Sequence, residues 1–381
     1  MNRDRFPGLR GGWARLDGPA GTQMVDSAID AMADWMRSGS GANHGGVFAA
    51  GRATDEVTGS ARASVAALLG GDPHGVVFGP SMTALTMHFA AAVGRTLTAG
   101  DEVVCTRLDH DADVRPWVIA AERAGARVVF AEPEPETLEL PAAAVEAVLG
   151  ERTRWIAVTA ASNACGTIPD LPGIVAAARR VGARVYVDAV HAVPHRRMDV
   201  GALGCDVLAC SAYKWFGPHV GILCARPEVL EELAPDKLRP SADEVPDRWE
   251  LGTLPFESLA GVLAASEYLR SLDWAAVRAH EDALLGAVLA GLATTPGVQI
   301  HGAAHDRTAT LMFTVEGFTS EQVARHLAEC EIAVWDGNYY AWELFRHLGL
   351  EPEGAVRAGF VHYNDAADAE RLLAAVGELG Q

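Results

Sequence analysis

Residues 183–218 read ARVYVDAVHAVPHRRMDVGALGCDVLACSAYKWFGP, and two short apolar runs in this stretch each lead into polar residues. The run Arg184–Val187 is followed directly by Asp188, and the run Val207–Cys210 is followed four residues later by Lys214. Short apolar runs bounded by turn residues are typical of strands that are buried on both faces of a parallel sheet. Because ligands collect outside the carboxyl ends of such strands, the acid and the lysine are predicted to face one site.

The same alternation of apolar runs and alanine-rich amphipathic stretches extends from about Ser60 to Ala225. It indicates βαβ units and a largely parallel sheet with helices on both faces. A helix is predicted over Ile174–Val181, with Pro172 at its entry and Gly182 at its exit. The predicted strands of this part are Val76–Phe78, Glu102–Thr106, Arg127–Phe130, Trp155–Thr159, Arg184–Val187 and Val207–Cys210.

After Pro255 the pattern changes from alternating elements to helices followed by strands. This order is typical of an α+β arrangement. We therefore predict a large domain over residues 16–255 and a smaller C-terminal domain over residues 256–381, which also includes residues 1–15. The predicted elements of the smaller domain are two helices, Leu259–Leu272 and Ala275–Leu292, and three strands, Gln299–His301, Thr308–Val315 and Ile332–Trp335.

Composition narrows the classes of function. The 381 residues carry 31 basic and 50 acidic side chains, a formal charge of −19, which repels nucleic acids and anionic membranes at long range. The six cysteines form no CxxC pair and there is no histidine cluster at metal-ligand spacing, so we expect reduced cysteines and no metal site. No targeting segment or run of 18 apolar residues is present, which favours a cytoplasmic protein.

An acid and a lysine at the ends of successive strands suit pyridoxal 5′-phosphate (PLP). The pyridine nitrogen of this cofactor needs a carboxylate to stay protonated, and its aldehyde needs an amine. A lysine in a dry pocket loses its charge more readily and so becomes available for imine formation. On spacing alone, an ordinary ion pair between Asp188 and Lys214 explains the pattern equally well.

Three linked segments add to this argument: RLDHDADVRPW (107–117), VDAVHAVPH (187–195) and SAYKWFGPHVGIL (211–223). In order, spacing and flanks they resemble class V aminotransferases of fold type I, in particular the cysteine desulfurase-like branch, over about residues 16–373. The resemblance implies a PLP-dependent transferase fold, with a mainly parallel sheet of the seven-stranded type. It also implies an amino-acid substrate and a homodimer with shared active sites.

The resemblance further implies roles for single residues. Lys214 carries PLP as a Schiff base, Asp188 pairs with the pyridine nitrogen, and His110 stacks on the ring; these three are the predicted catalytic residues. His191 and Asn163 lie beside the ring oxygen, although a ligand-free helix-start histidine and an Asx turn are the open alternatives. The phosphate is held by backbone and hydroxyl groups where a strand gives way to a helix, and by the partner subunit; the residues concerned are Ser81, Met82, Thr83, Ser211, Tyr213 and, from the partner, Thr253. For Ser81, a helix N-cap without a ligand is the open alternative.

At the substrate end the resemblance assigns Arg357 to the α-carboxylate, for which a planar guanidinium is well suited. Asn43 and His44, in the segment ANHGG, correspond to residues at the mouth of the site. A surface salt bridge for Arg357 and a glycine-rich turn for His44 remain open as alternatives.

The chain departs from the desulfurases at the mobile loop that carries their thiolate. Here the stretch reads VWDGNYYAWEL (334–344), and Tyr340 stands where that cysteine would be. Cys330 lies ten residues earlier, at the end of a predicted helix, and is expected to be packed. Sulfur relay is therefore not expected.

The leading hypothesis is a C–S lyase that eliminates a thiol from a cysteine S-conjugate. Relatives without the cysteine trim such conjugates in antibiotic pathways, including lincosamide assembly. The aromatic residues of the loop suit a bulky conjugate, although packing at a domain or dimer interface is an equally good alternative; they are Trp335, Tyr339, Tyr340 and Trp342. Decarboxylation with oxidative deamination, transamination and epimerisation use the same residues and stay open. A PLP-binding scaffold without turnover is the non-enzymatic alternative, and the exact substrate and pathway are not determined by the sequence.

Overall fold

The computed structural model of the protein describes residues 2–38 and 41–380. Strands and helices alternate through most of this chain. The strands are β1 (Ala14–Arg15), β2 (Val76–Gly79), β3 (Glu102–Thr106), β4 (Arg127–Ala131), β5 (Thr153–Thr159), β6 (Arg184–Asp188), β7 (Val207–Ser211), β8 (Gly221–Ala225), β9 (Val298–His301), β10 (Thr310–Val315), β11 (Ile332–Ala333), β12 (Trp335–Gly337) and β13 (Ala355–Gly359). The α-helices are α1 (Asp26–Arg37), α2 (Ala49–Leu69), α3 (Met82–Gly94), α4 (Arg115–Ala124), α5 (Ala142–Glu146), α6 (Leu171–Val181), α7 (Val200–Leu203), α8 (Pro227–Glu232), α9 (Phe256–Arg270), α10 (Trp274–Leu292), α11 (Ser320–Glu329), α12 (Trp342–His347) and α13 (Ala366–Leu379).

The large sheet has seven strands in the order β2-β8-β7-β6-β5-β3-β4. Strands β3 to β7 pair in parallel, and β8 runs antiparallel to both of its neighbours. The prediction of a mainly parallel α/β sheet is confirmed. Strand β8 was not among the predicted strands, because its five buried residues Gly221–Ala225 follow the lysine loop so closely that they read as part of that loop.

Alternate side chains of each central strand enter two different apolar cores, one on each face of the sheet. In β6, Val185 and Val187 belong to one core and Tyr186 to the other. Helices α3 and α4 cover the second face, where the Tyr186 hydroxyl lies 2.7 Å from Thr86 Oγ1 of α3. Full burial of one such apolar side chain contributes about 1.5–3 kcal/mol. This packing fixes the start of α3 beside the ends of the strands.

The C-terminal part contains a four-stranded antiparallel sheet in the order β12-β13-β10-β9, with α10, α11 and α13 in its apolar core. The single strand predicted over Ile332–Trp335 was wrong. It divides at Val334 into β11, which pairs with β1, and β12, which joins β13. The predicted strand Thr308–Val315 begins only at Thr310, because the backbone N–H of Thr308 donates to Gly166 instead of joining the ladder.

Helix α9 packs against α1 and α2, and its apolar residues share the core of the large sheet. The division into residues 16–255 and 256–381 stays a prediction, and this packing favours moving the boundary beyond Arg270. In the part of the chain that the structure describes, no helix has the length and apolarity needed to cross a membrane.

Candidate active site

A cavity of about 860 Å³ opens where strands of the large sheet end and the segment 335–340, which comprises β12 and the turn after it, faces them. Arg357 and Tyr340 line this outer cavity. An inner recess continues from it under His110 and Lys214, which line both. The recess brings together nine of the predicted cofactor residues: Met82, Thr83, His110, Asn163, Asp188, His191, Ser211, Tyr213 and Lys214.

Lys214 ends a single 3₁₀ turn, Ala212–Lys214, that follows β7 directly. Its Nζ donates to the backbone carbonyls of Pro19 and Ala20, the latter at 2.9 Å. Burial lowers the pKa of Lys214 to about 7, and the positive charge of Arg357 acts in the same direction. A substantial share of this amine is therefore neutral at physiological pH, which is the form that attacks a carbonyl.

Asp188 ends β6 and is buried, with Oδ1 accepting a hydrogen bond of 2.8 Å from the backbone N–H of Val190. Burial raises its pKa to about 7, because one N–H donor does not offset the loss of water. No ion pair to Asp188 is present within residues 2–38 and 41–380. A cationic pyridine nitrogen in the recess would supply the missing counter-charge, so this carboxyl fits the predicted partner of PLP.

His110 follows β3 and is a neutral imidazole. Its Nδ1 accepts a hydrogen bond of 3.0 Å from the backbone N–H of Ala112. Burial lowers the pKa of His110 to about 3, and the charges of Lys214 and Arg357 contribute. The ring stacks on Tyr340 with centroids 5.4 Å apart. A neutral aromatic ring at the recess can stack on a cofactor ring without adding a further charge.

His191 and Asn163 meet different partners in this structure. His191 Nε2 lies 3.1 Å and 3.0 Å from the hydroxyl oxygens of Thr308 and Thr310. Asn163 donates through Nδ2 to the carbonyl of Tyr339, whereas its Oδ1 is buried and has no hydrogen-bond partner among the residues that the structure describes. Because an orphaned buried acceptor is costly, Asn163 Oδ1 fits a donor supplied by a ligand in the recess.

The recess also reaches the start of helix α3. Ser81 caps this helix, accepting a hydrogen bond of 3.1 Å from Ala84 N, and its side chain does not line the recess. Met82 and Thr83 occupy the first turn, where backbone N–H groups lack partners within the helix and favour an anion. The neighbouring position in β8 must be glycine, since a Cβ on Gly221 would lie 2.4 Å from Met82 N. The arrangement suits a phosphate held by backbone donors.

Arg357 extends from β13 into the outer cavity and is 4% exposed. Its guanidinium donates to the carbonyl of Asn163 at 2.8 Å and lies 4.3 Å from the centre of the Tyr339 ring. Burial lowers the pKa of Arg357 to about 10. In the described residues it forms no ion pair, so a buried cation faces the cavity without a carboxylate. This disfavours the surface salt bridge and fits a substrate carboxylate.

The backbone of the segment 335–340 holds it over the site. Tyr339 and Tyr340 both have left-handed φ values, 52° and 61°, which non-glycine residues rarely adopt. The carbonyl of Tyr340 accepts a hydrogen bond of 2.7 Å from Asp111 N, and the carbonyl of Tyr339 accepts from Asn163. These contacts fix both tyrosines at the edge of the cavity.

Four predicted residues lie outside the cavity. Ser81 acts as a helix cap, and Asn43, His44 and Thr253 are exposed elsewhere on this subunit. Trp335, expected in the aromatic loop, lines the outer cavity. The sequence reasoning missed groups that reach the site from distant segments: the carbonyls of Pro19 and Ala20, the hydroxyls that hold His191, and the side chain of Arg115. No local pattern marks these groups, because only the fold brings them together.

Comparisons with known proteins agree with this geometry. The family described as aminotransferase class V matches residues 14–372. A probable cysteine desulfurase of Pseudomonas putida is 33% identical over 380 residues, which cover 95% of this chain and 92% of that protein. Among solved structures, the apo cysteine desulfurase of Thermococcus onnurineus superposes with a TM-score of 0.93 at 25% identity, over 99% of this chain and 96% of its own. The cysteine desulfurase CsdA of Escherichia coli gives 0.89 at 26%, over 99% and 97%.

Proposed function

This chain belongs to the class V aminotransferase family and is a PLP-dependent enzyme, and we propose that it eliminates a thiol from the β-carbon of a cysteine S-conjugate. The products would be the thiol, pyruvate and ammonia.

The observation that carries the proposal is a cavity that has a lysine and an arginine but no thiol. None of the described residues that line the outer cavity or the recess is a cysteine. Five of the six cysteines are buried in the protein, and the half-buried Cys330 follows helix α11, outside both linings. Without a thiolate in the site to accept sulfur, departure of the sulfur substituent as a free thiol is the simplest outcome.

When bound, PLP supplies an electron-accepting ring that stabilises negative charge at the substrate α-carbon. Arg357 would hold the α-carboxylate, and Asp188 would face the pyridine nitrogen. Lys214 would remove the α-proton, for which a pKa near 7 is well matched to neutral pH. The carbon–sulfur bond at Cβ then breaks, the electron pair leaves with the thiolate, and water hydrolyses the remaining enamine to pyruvate and ammonia.

The size of the cavity supports a substrate larger than cysteine. At about 860 Å³ it lies within the range of pockets for drug-sized ligands. Trp335 and Tyr340 are 52% and 71% exposed at its edge, where apolar or sugar-bearing groups can pack against their rings. We therefore include a conjugate from natural-product biosynthesis, of the kind trimmed in lincosamide assembly, among the proposed substrates.

We further propose a cytoplasmic homodimer in which Thr253 completes the phosphate site of the partner subunit. Thr253 lies in an exposed turn after Gly252, whose φ is 79°, and the adjacent Leu251 is 59% exposed. Val47, close in sequence to the predicted mouth segment 43–44, is 93% exposed. A large apolar side chain this exposed also suits burial against a second copy of the chain.

Complementation tests the shared site. Lys214→Ala and Thr253→Ala variants, each nearly inactive alone, should regain activity when refolded together, since one site of the mixed dimer then carries neither substitution. A monomeric mass in solution, or a mixture without recovered activity, would contradict the shared site.

The reaction is tested with a panel of S-substituted cysteines and product analysis. Equal amounts of pyruvate and thiol support elimination, and the Lys214→Ala variant should form neither. Carbon dioxide with an aldehyde, racemised substrate, or an amino group passed to a keto acid would replace elimination by decarboxylation, epimerisation or transamination. Alanine from free cysteine, with its sulfur released as sulfide only when a reductant is added, would indicate a desulfurase instead. No turnover of any substrate would indicate a cofactor-binding scaffold.

A further inference from the structure

Two aspartates lie buried at the ends of the loop that carries His110. We call residues 109–113 the His110 loop. Asp109 and Asp113 are both completely shielded from solvent. Asp109 Oδ2 accepts a hydrogen bond from the Thr106 hydroxyl, and Asp113 Oδ1 accepts one of 3.2 Å from Trp117 Nε1. One oxygen of each carboxyl group therefore has a hydrogen-bond donor.

Within the described part of the chain, the other two oxygens have no hydrogen-bond donor. Asp109 Oδ1 and Asp113 Oδ2 are buried without a hydrogen-bond partner, and the two carboxyl groups lie within hydrogen-bonding reach of each other. Carboxylates are acceptors only, so two facing carboxylates would repel each other and both stay unsatisfied. A single proton between them would satisfy both oxygens and halve the buried charge.

We propose that Asp109 and Asp113 share one proton, and that the resulting hydrogen bond closes the His110 loop and positions the His110 ring. The bond would join the first and last residues of the loop. Inside it, Asp113 N donates to the His110 carbonyl at 2.8 Å and Ala112 N donates to the His110 ring. The two aspartates are thus positioning residues that act through His110.

The surroundings of the pair favour retention of the proton. Burial raises the pKa of Asp109 to about 8, and burial together with the charge of Asp109 raises the pKa of Asp113. The groups that face the pair from neighbouring strands are Cys105 of β3, the Thr159 backbone of β5, and Tyr186 and Asp188 of β6. Among them only Asp188 carries a charge near neutral pH, and its negative charge opposes ionisation of either aspartate.

Asp113→Asn is the variant that imitates the shared proton. The amide of Asn can donate to Asp109 Oδ1, and the pair then keeps the same net charge of one negative unit without a titrating proton. Asp113→Ala removes the contact. We expect Asp113→Asn to bind PLP within about threefold of wild type, and Asp113→Ala to bind at least about tenfold more weakly.

The decisive readout is infrared spectroscopy, which distinguishes the carbonyl stretch of a protonated carboxyl from that of a carboxylate. Wild type at pH 7 should show a protonated-carboxyl band that Asp113→Asn lacks, in cofactor-free protein as well as in the loaded enzyme. The PLP affinity of wild type should fall at alkaline pH, where the pair loses its shared proton, whereas that of Asp113→Asn should not.

The proposal fails if the band is unchanged in Asp113→Asn, or if the Asn and Ala variants lose PLP affinity equally. Should Asp113→Asn not fold, Asp109→Asn provides the same donor from the opposite side. The positioning role rests on the proposed stacking of His110, but the infrared band requires neither substrate nor turnover. Failure of the elimination reaction therefore leaves this test intact.

Discussion

Replacement of Arg357 by methionine should separate substrate binding from protein stability, because this guanidinium is buried without a carboxylate. Loss of one partner from a buried, hydrogen-bonded charge pair costs about 2–5 kcal/mol. If the second partner is the substrate carboxylate, kcat/KM should fall by about 30-fold to several thousand-fold, at about 1.4 kcal/mol for each factor of ten.

The stability of the cofactor-free protein should respond differently. Arg357→Met loses the hydrogen bond to Asn163, worth about 1.5 kcal/mol, and the contact with the Tyr339 ring, worth about 2 kcal/mol. It also removes a buried charge whose desolvation costs several kcal/mol. We therefore expect a free energy of unfolding within about 1 kcal/mol of wild type, or slightly higher, by thermal or urea denaturation.

Arg307 provides the matched control. It is also buried, but its guanidinium donates to three backbone carbonyls, those of Gly302, Cys165 and Thr310. Arg307→Met leaves these acceptors unsatisfied and should be less stable than Arg357→Met by about 2 kcal/mol. If Arg357→Met is the less stable of the two, or if its kcat/KM for an S-conjugate stays within about threefold of wild type, the assignment of Arg357 to the substrate carboxylate is refuted.

Three further predictions concern the groups around the cofactor. His110→Phe should keep PLP affinity within about threefold and His110→Ala should lower it about tenfold, by spectral titration, because a neutral ring acts through stacking; equal loss in both variants would contradict this. The rate at which cofactor-free protein captures PLP should rise with pH through about 7 and then level off, because the pKa of Lys214 is lowered to about 7. The contribution of Lys214 to the free energy of unfolding should rise between about pH 7 and 10.5, since the unfolded chain binds the proton more tightly. A Lys214→Met variant whose stability has the same pH slope as wild type would refute the lowered pKa. Tyr340→Ala should lower kcat/KM for aryl S-conjugates by about tenfold and leave S-methylcysteine nearly unaffected, and equal losses for both substrates would argue against contact with the substituent.

Much of the large sheet could be predicted from the sequence, because its central strands are continuous apolar runs such as Glu102–Thr106, with the same bounds in the structure. The errors have local causes. Strand β8 follows the lysine loop without a break in composition, and the run Ile332–Trp335 feeds two different sheets. An apolar run indicates that a strand is buried, but it does not indicate which strand pairs with it.

The residues of the site likewise fall into those that the sequence predicts and those that it does not. His110, Asp188 and Lys214 each follow a predicted strand, so the rule for strand ends together with the family motifs located them. The carbonyls that hold Lys214 come from a segment 194 and 195 residues earlier, which no sequence pattern connects to it. Asp109 and Asp113 resemble ordinary surface acids in the sequence, and only their complete burial identifies them as a pair. Thr253 depends on a second subunit and stays a prediction.

We propose that the Lys214 amine is the group that bonds to the cofactor aldehyde. The chain contains two lysines, and Lys237 pairs instead with Asp243 at 2.8 Å. Borohydride reduction of the PLP-loaded protein, followed by mass mapping of its peptides, should place the pyridoxyl group on the peptide with Lys214, and a Lys237→Ala variant should label equally well. Label on Lys237, or labelling that persists in Lys214→Ala, would show that Lys214 does not carry the cofactor.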